Sequence, residues 1–405
     1  PEFCHILSRR QEFKQSIQMD DASNSTAIPK KKLHTYLEEL FKKKSSVREN
    51  ALRILVKQFQ TNVHYEFVEN NFVTLIHRCQ NCLKRGSALE IDLALQLIGF
   101  VVLTLGAGDN AHEVYEELLM LVPELLIKSK LSHAIKVFEC LSIVTSVGAT
   151  DFVDTERSME IIWQFLNQET KHPSSVAAAA ISGWVLLLSG IDRWNVSPKK
   201  WKESIPFLLK QLEEDDEHVN VASIEALALI FEIGSLEKFS NQAREYASMK
   251  DMKDGIMEHV KRVCNGTKQD TSKILEDDYD KTVTLTLGRT SLTFSTWSKL
   301  KQMSYIRKFL GNGFKNHMME NEHLHNVFHF APATKCSDDL ELYKPEFEEV
   351  VFRVFVPEVR RENCANRIHK SHNSLLSKGR TKLRNKYRSL AEETKAGYIA
   401  DEELD

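Results

Sequence analysis

"VVLTLGAGD" (residues 101–109) closes an apolar run with a glycine and then offers an aspartate; "SIVTSVGATD" (142–151), "WVLLLSGID" (184–192) and "ALIFEIGSLE" (228–237) each close an apolar run with a glycine too. The glycines, Gly106, Gly148, Gly190 and Gly234, follow one another at intervals of 42, 42 and 44 residues. Glycine takes the left-handed backbone conformation that ends a helix, so each marks an expected helix terminus. Asp109, Asp151 and Asp192, just beyond, are good caps for the next helix. Starts recur at a similar spacing: "SVRENAL" near Ser46, "SALEIDLAL" near Ser87, "SHAIKVFECL" near Ser132, "SSVAAAAI" near Ser174 and "HVNVASIEAL" near His218.

Outward from these markers, the sequence between Pro29 and Gly266 is almost free of strand signals, and apolar residues recur at three- and four-residue spacing, as in "VRENALRILVKQF" and "VYEELLMLVPELLIK". Helices repeating every 40 to 47 residues or so belong to HEAT or armadillo solenoids, in which each unit buries a face against its neighbours. The competing reading is an irregular helical bundle. The helices that end in the four glycines are apolar nearly all round and are expected to form the inner row. Small residues seven or eight positions earlier, Gly99, Cys140, Gly183 and Ala226, would let neighbouring helices approach closely.

The expected fold class is mainly α: a HEAT/armadillo-like α-solenoid, a small C-terminal module and a basic C-terminal helix. Residues 1–28 form an N-terminal extension, 29–265 the repeats, 266–281 a polar linker ("GTKQDTSKILEDDYDK"), 282–330 the module, 331–368 a connector, 369–390 a basic segment and 391–405 an acidic tail. In the module, "TVTLTLGRTSLTFS" predicts a hairpin turning at Gly288 and Arg289. Two helices are predicted after it, "TWSKLKQMSYIRKFLG" and "GFKNHMMENEHLHNVFHF", parted by Gly311 and Gly313. "PEFEEVVFRVFVPEV" offers one further strand.

A chain of 405 residues with 42% apolar and 27% charged residues can bury a large core. No uninterrupted apolar run reaches the roughly 18 residues that span a bilayer, so the chain reads as a soluble protein. The first residues, "PEFCHILSRRQEF", hold neither a signal-peptide core nor an initiator Met, so further residues upstream are expected. Seven irregularly spaced cysteines suit free thiols in a reducing compartment.

Catalytic and metal chemistry find little purchase. Cys79 and Cys82 form a CxxC near His77, but a zinc site needs a second ligand pair, so helix cysteines are the better reading. His317, His323, His325 and His329 cluster, yet only His325 and His329 share a helix face, and no metal is expected. "LGAGDN" and "LGNGF" lack the strand and the spacing of a phosphate-binding loop. There is no nucleophile elbow. A binding protein without cofactor or small-molecule substrate is expected, not an enzyme. "PKKKL" and "FKKKSS", around Lys30–Lys32 and Lys42–Lys44, read as solvated helix ends.

One feature stands out from a formal net charge of -3: "SKGRTKLRNKYR" (377–388) places Lys378, Arg380, Lys382, Arg384, Lys386 and Arg388 at every second position. On a helix these fall into two opposite basic stripes; on an extended strand they would project to one side. Only Leu383 and Tyr387 share an apolar side. Such a segment is suited to being surrounded by polyanion, RNA or DNA.

Two stretches carry a family resemblance. "STWSKLKQMSYIRKFLGNGFKNHMMENEHLHNVFHF" (295–330), with Trp297, Gly311, Gly313, Phe314, His317, Glu320, Asn321 and Glu322, and "HKSHNSLLSKGRTKLRNKYR" (369–388) resemble the interferon-related developmental regulators. "DTERSMEIIWQF" and "GIDRW" fit more diffusely, with a likeness to plant members. His323 stands where that family tends to be apolar, and 331–368 do not align. The resemblance implies an armadillo-like fold, no enzymatic activity and one of two roles. The first is binding translationally inactive ribosomes, rRNA and ribosomal proteins, with the basic helix in the mRNA and tRNA path and other translation or dormancy factors alongside. The second is nuclear transcriptional co-regulation as a protein scaffold. The comb favours the first, a cytoplasmic translation repressor or dormancy factor with no membrane partner and the nucleus as a second compartment. Carried onto matching positions, the rRNA contacts are Lys378, Arg380, Lys382, Arg384, Lys386 and Arg388, with Lys370, Arg307 and Lys308 secondary.

Overall fold

The structure, a computed structural model, describes residues 30–128, 131–168, 172–191, 198–213, 216–234, 251, 253–258, 282–287, 290–332, 378–379, 381–386 and 388–389. Ten helices follow one another among the described residues of the repeats. They are α1 (Lys30–Glu39), α2 (Ser45–Thr61), α3 (Tyr65–Arg85), α4 (Ala88–Leu105), α5 (Asp109–Lys128), α6 (Leu131–Gly148), α7 (Phe152–Leu166), α8 (Ser174–Ser189), α9 (Pro198–Leu212) and α10 (Glu217–Gly234). Even-numbered helices stack as α2, α4, α6, α8 and α10, while α3, α5, α7 and α9 each lie against the inner helix that follows. This is the expected mainly-α solenoid. The first 330 residues form one compact unit and residues 331–405 a second.

Helix starts coincide with the predicted markers. Ser87 caps α4 in a reciprocal capping box with Glu90, Asp151 accepts from the Asp154 N–H at the head of α7, and Asp216 accepts from the N–H groups of His218 and Val219. The inner helices are buried around most of their circumference. On α8, Val185, Leu186, Leu187 and Leu188 are consecutive core residues, each contributing roughly 1.5–3 kcal/mol of apolar burial. α4 is long and apolar enough, by length and composition, to cross a bilayer, although Glu90 and Asp92 interrupt its apolar run. It is a core helix, packed against α2, α3 and α6, with the carboxylate of Glu90 buried and paired to Arg48 at 2.7 Å.

Side-chain bonds between successive units confirm the period. Arg48 donates to Glu90, 42 residues on; His133 meets Asp92 at 2.6 Å across 41; Tyr115 donates to the Asp154 carbonyl across 39. Each reaches from one unit to the next.

The glycines need correction. Gly106 alone of the four adopts a left-handed φ, +74°. Gly190, at φ -90° and ψ -9°, is right-handed, and Gly148 is the last residue of α6. Gly148 serves packing instead: a Cβ there would come within 2.5 Å of the Ala111 carbonyl oxygen and 3.1 Å of the Tyr115 Cβ, so α5 and α6 touch through it. Gly183 faces Ser142 on α6, as neighbouring-helix approach requires, but Gly99 makes room for Phe309 of the C-terminal module. Asp192 lies outside the described residues, as do the linker 266–281, the turn Gly288–Arg289, the further strand within 345–359 and most of the connector.

β1 (Val283–Leu287) and β2 (Thr290–Phe294) pair antiparallel with Leu287 opposite Thr290, the register a two-residue turn imposes. α11 (Trp297–Leu310) follows, then a 3₁₀ turn (Gly311–Gly313). The predicted second helix is two, α12 (Phe314–Glu320) and α13 (Glu322–Phe328), broken at Asn321. The Asn321 Oδ1 accepts from the N–H groups of His323 and Leu324, so the residue caps a new helix in place of continuing the old one.

Gly148→Ala separates helix propensity from packing. Propensity alone would stabilise by up to about 1 kcal/mol, whereas the clash with the Ala111 backbone should destabilise by about 1–3 kcal/mol. A lower urea midpoint with unchanged slope is the expected result.

Candidate nucleic-acid interface

Residues 378–379, 381–386 and 388–389 are helical, which selects the two-striped arrangement over the extended comb. Lys378, Lys382 and Lys386 follow at four-residue spacing on one side, Arg384 and Arg388 on the other, and all five are exposed. Arg380, Tyr387 and Lys370 lie outside the described residues. Like charges at i,i+4 destabilise a helix by a few tenths of a kcal/mol per pair. A polyanion lying along both stripes removes that repulsion.

The residues singled out at 297–322 are placed quite differently, and the chain explains why. α11 begins beside the end of α10, where both carboxylate oxygens of Glu232 accept from the backbone N–H groups of Trp297 (2.9 Å) and Ser298 (3.0 Å). Thr296 supplies its hydroxyl to the Lys299 N–H and its carbonyl to Leu300. Three N–H groups that the helix start leaves without internal partners, those of Trp297, Ser298 and Lys299, are thus bonded. Trp297 is buried, with Lys301 over its ring at 5.3 Å and paired to Glu225.

From there the module crosses the inner row in reverse order. Gln302 donates to the Ser189 carbonyl at the end of α8 (3.0 Å). Phe309 fills the space left by Gly99 on α4 and meets the Phe100 ring at 4.6 Å. Gly311, at φ +53°, turns the chain over Gln60, and Gly313 lies so near the Gln60 carbonyl that no Cβ fits. Asn316 donates to the Thr61 carbonyl (3.0 Å) and His317 to the Phe59 carbonyl (3.0 Å), both at the end of α2. Asn321 then donates to the Leu103 carbonyl at the end of α4 (3.0 Å), and His323 lies over Gly106. Phe314, His317 and Asn321 are buried, Glu320 and Glu322 exposed. Three inner helices therefore have a last-turn carbonyl satisfied by one segment.

Among the secondary candidates, Lys308 is exposed in the last turn of α11, while Arg307 is partly buried and held by partners within the fold. The four histidines do not converge. His325 bonds the Met318 carbonyl, and His329 ends α13 in a left-handed conformation. Among the described residues no group of three or more His, Cys, Asp or Glu is placed to hold a metal ion. Cys79, Cys82 and Cys140 are free and buried; burial raises the Cys79 thiol and pushes Cys82 up to about 11, so neither is a thiolate at neutral pH. A cavity of about 520 Å³ lies between the ends of α6 and α8 and the module. Its polar wall is already used: Lys299 donates to the Val327 carbonyl, Ser146 to Ile143 and Thr150 to Asp154.

Glu232, Gln302, Phe309 and Asn316 were not singled out from sequence. Glu232 had a signal, an acid alone in the apolar "ALIFEIG", which calls for a buried donor. The others had none: Gln302 and Asn316 donate to backbone carbonyls up to 255 residues away, and Phe309 packs on Gly99 and the Phe100 ring far back in the chain.

Asn321→Ala should destabilise by about 2 kcal/mol, losing both the cap and the bond to Leu103. Asn321→Asp keeps the capping oxygen but not the donor, and should fall between the two in chemical denaturation. Burial, helped by nearby His64, holds His317 down to about 4, and burial alone does the same for His323. Both are neutral when folded, whereas the unfolded chain binds their protons near pH 6.5. Stability present above about pH 6.5 is therefore lost as pH falls toward 4, by on the order of 3 kcal/mol per histidine. Urea midpoints between pH 7 and pH 4.5 should show the loss, and His317→Asn should flatten it.

The family profile described as Interferon-related developmental regulator (IFRD) matches residues 4–276. Interferon-related developmental regulator 1 of Sus scrofa is 24% identical over 328 residues, covering 74% of this chain and 71% of that one. Its Homo sapiens counterpart is 22% identical over 326 residues, with 74% and 71% covered. Interferon-related developmental regulator 2 of Mus musculus is 23% identical over 334 residues, with 75% and 73% covered. With the profile spanning more than half of its length, the chain belongs to the interferon-related developmental regulator family.

Proposed function

We propose that this protein is a non-enzymatic ribosome-binding factor that represses translation, or marks dormant ribosomes, by placing its basic C-terminal helix in the mRNA and tRNA path. The observation that carries this reading is the helical state of residues 378–379, 381–386 and 388–389, with Lys378, Lys382, Arg384, Lys386 and Arg388 exposed on opposite sides. A channel walled by rRNA phosphate meets charge on all sides, and a rod of that design gains from each wall. Membership of a family of regulators supports a binding role. So does the use of the module's signature residues inside the protein: bonds to the inner helices hold the body rigid, while the comb meets the partner.

Two kinds of contact are involved. Phosphate pairing by the comb supplies affinity without sequence preference, and recognition of the assembled ribosome falls to the shaped body. Occupation of the path excludes mRNA and tRNA by steric overlap, which needs no catalytic group.

Sedimentation with ribosomes through sucrose gradients across a salt series tests the reading, using the full chain and a variant lacking residues 371–405. Six phosphate contacts predict that raising salt from about 50 to 200 mM weakens binding by several hundred to about two thousandfold. The truncated variant should bind weakly and lose most of that salt dependence. Co-sedimentation unaffected by the truncation would remove the tail from the mechanism. Equal affinity for naked RNA and ribosomes would make the protein a general nucleic-acid adaptor instead.

A further inference from the structure

Two hydroxyls sit among the charges of the comb, and the helix assigns each to one stripe. Thr381 and Ser389 are exposed among the helical residues 378–379, 381–386 and 388–389. At about 100° per residue, with Lys378 at 0°, Thr381 falls near 300°, beside the Arg384 and Arg388 stripe at roughly 240° and 280°. Ser389 falls near 20°, within the stripe of Lys378, Lys382 and Lys386 at roughly 0°, 40° and 80°. Each hydroxyl also follows a lysine by three residues: Lys378 before Thr381 and Lys386 before Ser389. A protein kinase whose substrate groove is lined by carboxylates selects such a pattern by charge.

We propose that Thr381 and Ser389 are phosphorylation sites for a kinase that selects basic substrates, and that phosphate there switches off the polyanion binding of the comb. The proposal rests on the reading of the comb as a phosphate-binding rod and supplies its regulation. The co-reactant is a nucleoside triphosphate. The hydroxyl oxygen forms a bond to the γ-phosphorus as the bond from that phosphorus to the bridging oxygen breaks; the nucleoside diphosphate leaves with that electron pair, and the hydroxyl proton passes to the kinase's base.

Each added group brings a charge of about -1.5 to -2 and three acceptor oxygens. On the helix these oxygens have partners within one turn. A phosphate on Thr381 reaches Lys378 three residues before it and Arg384 three after, and one on Ser389 reaches Lys386 three before it. The teeth that would meet nucleic acid are then held within the helix. Two phosphates cancel roughly three to four of the comb's positive charges. Acids in their place would cancel two, and at about 0.1 M salt each lost contact costs roughly five- to eightfold in affinity.

The test uses the full chain throughout. It is incubated with ATP and a kinase that selects basic substrates, phosphate is located by mass spectrometry, and binding to poly(U) RNA and to purified ribosomes is measured across a salt series. Phosphate on Thr381, Ser389 or both is expected, with a salt slope shallower by about one to two contacts per phosphate. Thr381→Glu with Ser389→Glu should bind about 25- to 60-fold more weakly at 0.1 M salt, and Thr381→Ala with Ser389→Ala should bind as the unmodified protein does. No phosphate on either residue, or a modified chain with unchanged affinity and slope for poly(U), overturns the proposal. The ribosome reading fails separately: unmodified protein that binds poly(U) but not ribosomes refutes that reading and leaves the switch standing.

Discussion

A helix whose C-terminal carbonyls are kept from water must find donors for them elsewhere, and the inner row presents several such ends side by side. α2, α4 and α8 end in the carbonyls of Phe59, Thr61, Leu103 and Ser189, and all four receive a donor from residues 302–321. The inner helices are apolar around most of their surface, so there is little side-chain chemistry within the row to do this. A segment from outside the repeats, rich in His, Asn and Gln, supplies the missing donors. Glu232 reciprocates, lending its carboxylate to the start of α11.

This arrangement explains the odd composition of 311–329. The glycines at 311 and 313 let the chain pass over Gln60, where a side chain at 313 would strike backbone. The histidines are spread among separate structural duties: His317 bonds α2, His323 covers Gly106, His325 returns to Met318 and His329 ends a helix. Neutral imidazole suits this interior because it donates from one nitrogen at little desolvation cost, whereas a charged one would not remain there. The buried residues of 297–329 thus hold the body together, and the exposed basic residues between 378 and 388 lie in a separate stretch of chain.

The repeat architecture was legible before any coordinates. Propensity, period and capping chemistry agree along the chain: Asp151 caps α7 as its place after the glycine suggests, and α4, α8 and α10 start near the expected Ser87, Ser174 and His218. The role of the glycines is legible only in part. A glycine after an apolar run can serve a left-handed turn or a close approach of two backbones, and these look alike in sequence. Gly106 does the first and Gly148 the second. Gly99 met an aromatic ring from 210 residues further along, which no local pattern announces.

Local chemistry, then, was enough for helix positions and their inner or outer placement, because each depends on neighbours a few residues apart; the choice of two basic stripes over a one-sided comb came from the structure. The break at Asn321 shows where that reach ends. Nothing nearby forbids a continuous helix through "HMMENEHLH"; the side chain's donor is drawn to Leu103, 218 residues away, while its oxygen caps α13. Docking of the module on the helix ends belonged to the folded chain alone, since a backbone carbonyl carries no residue identity. Its partner becomes visible only when both are in place.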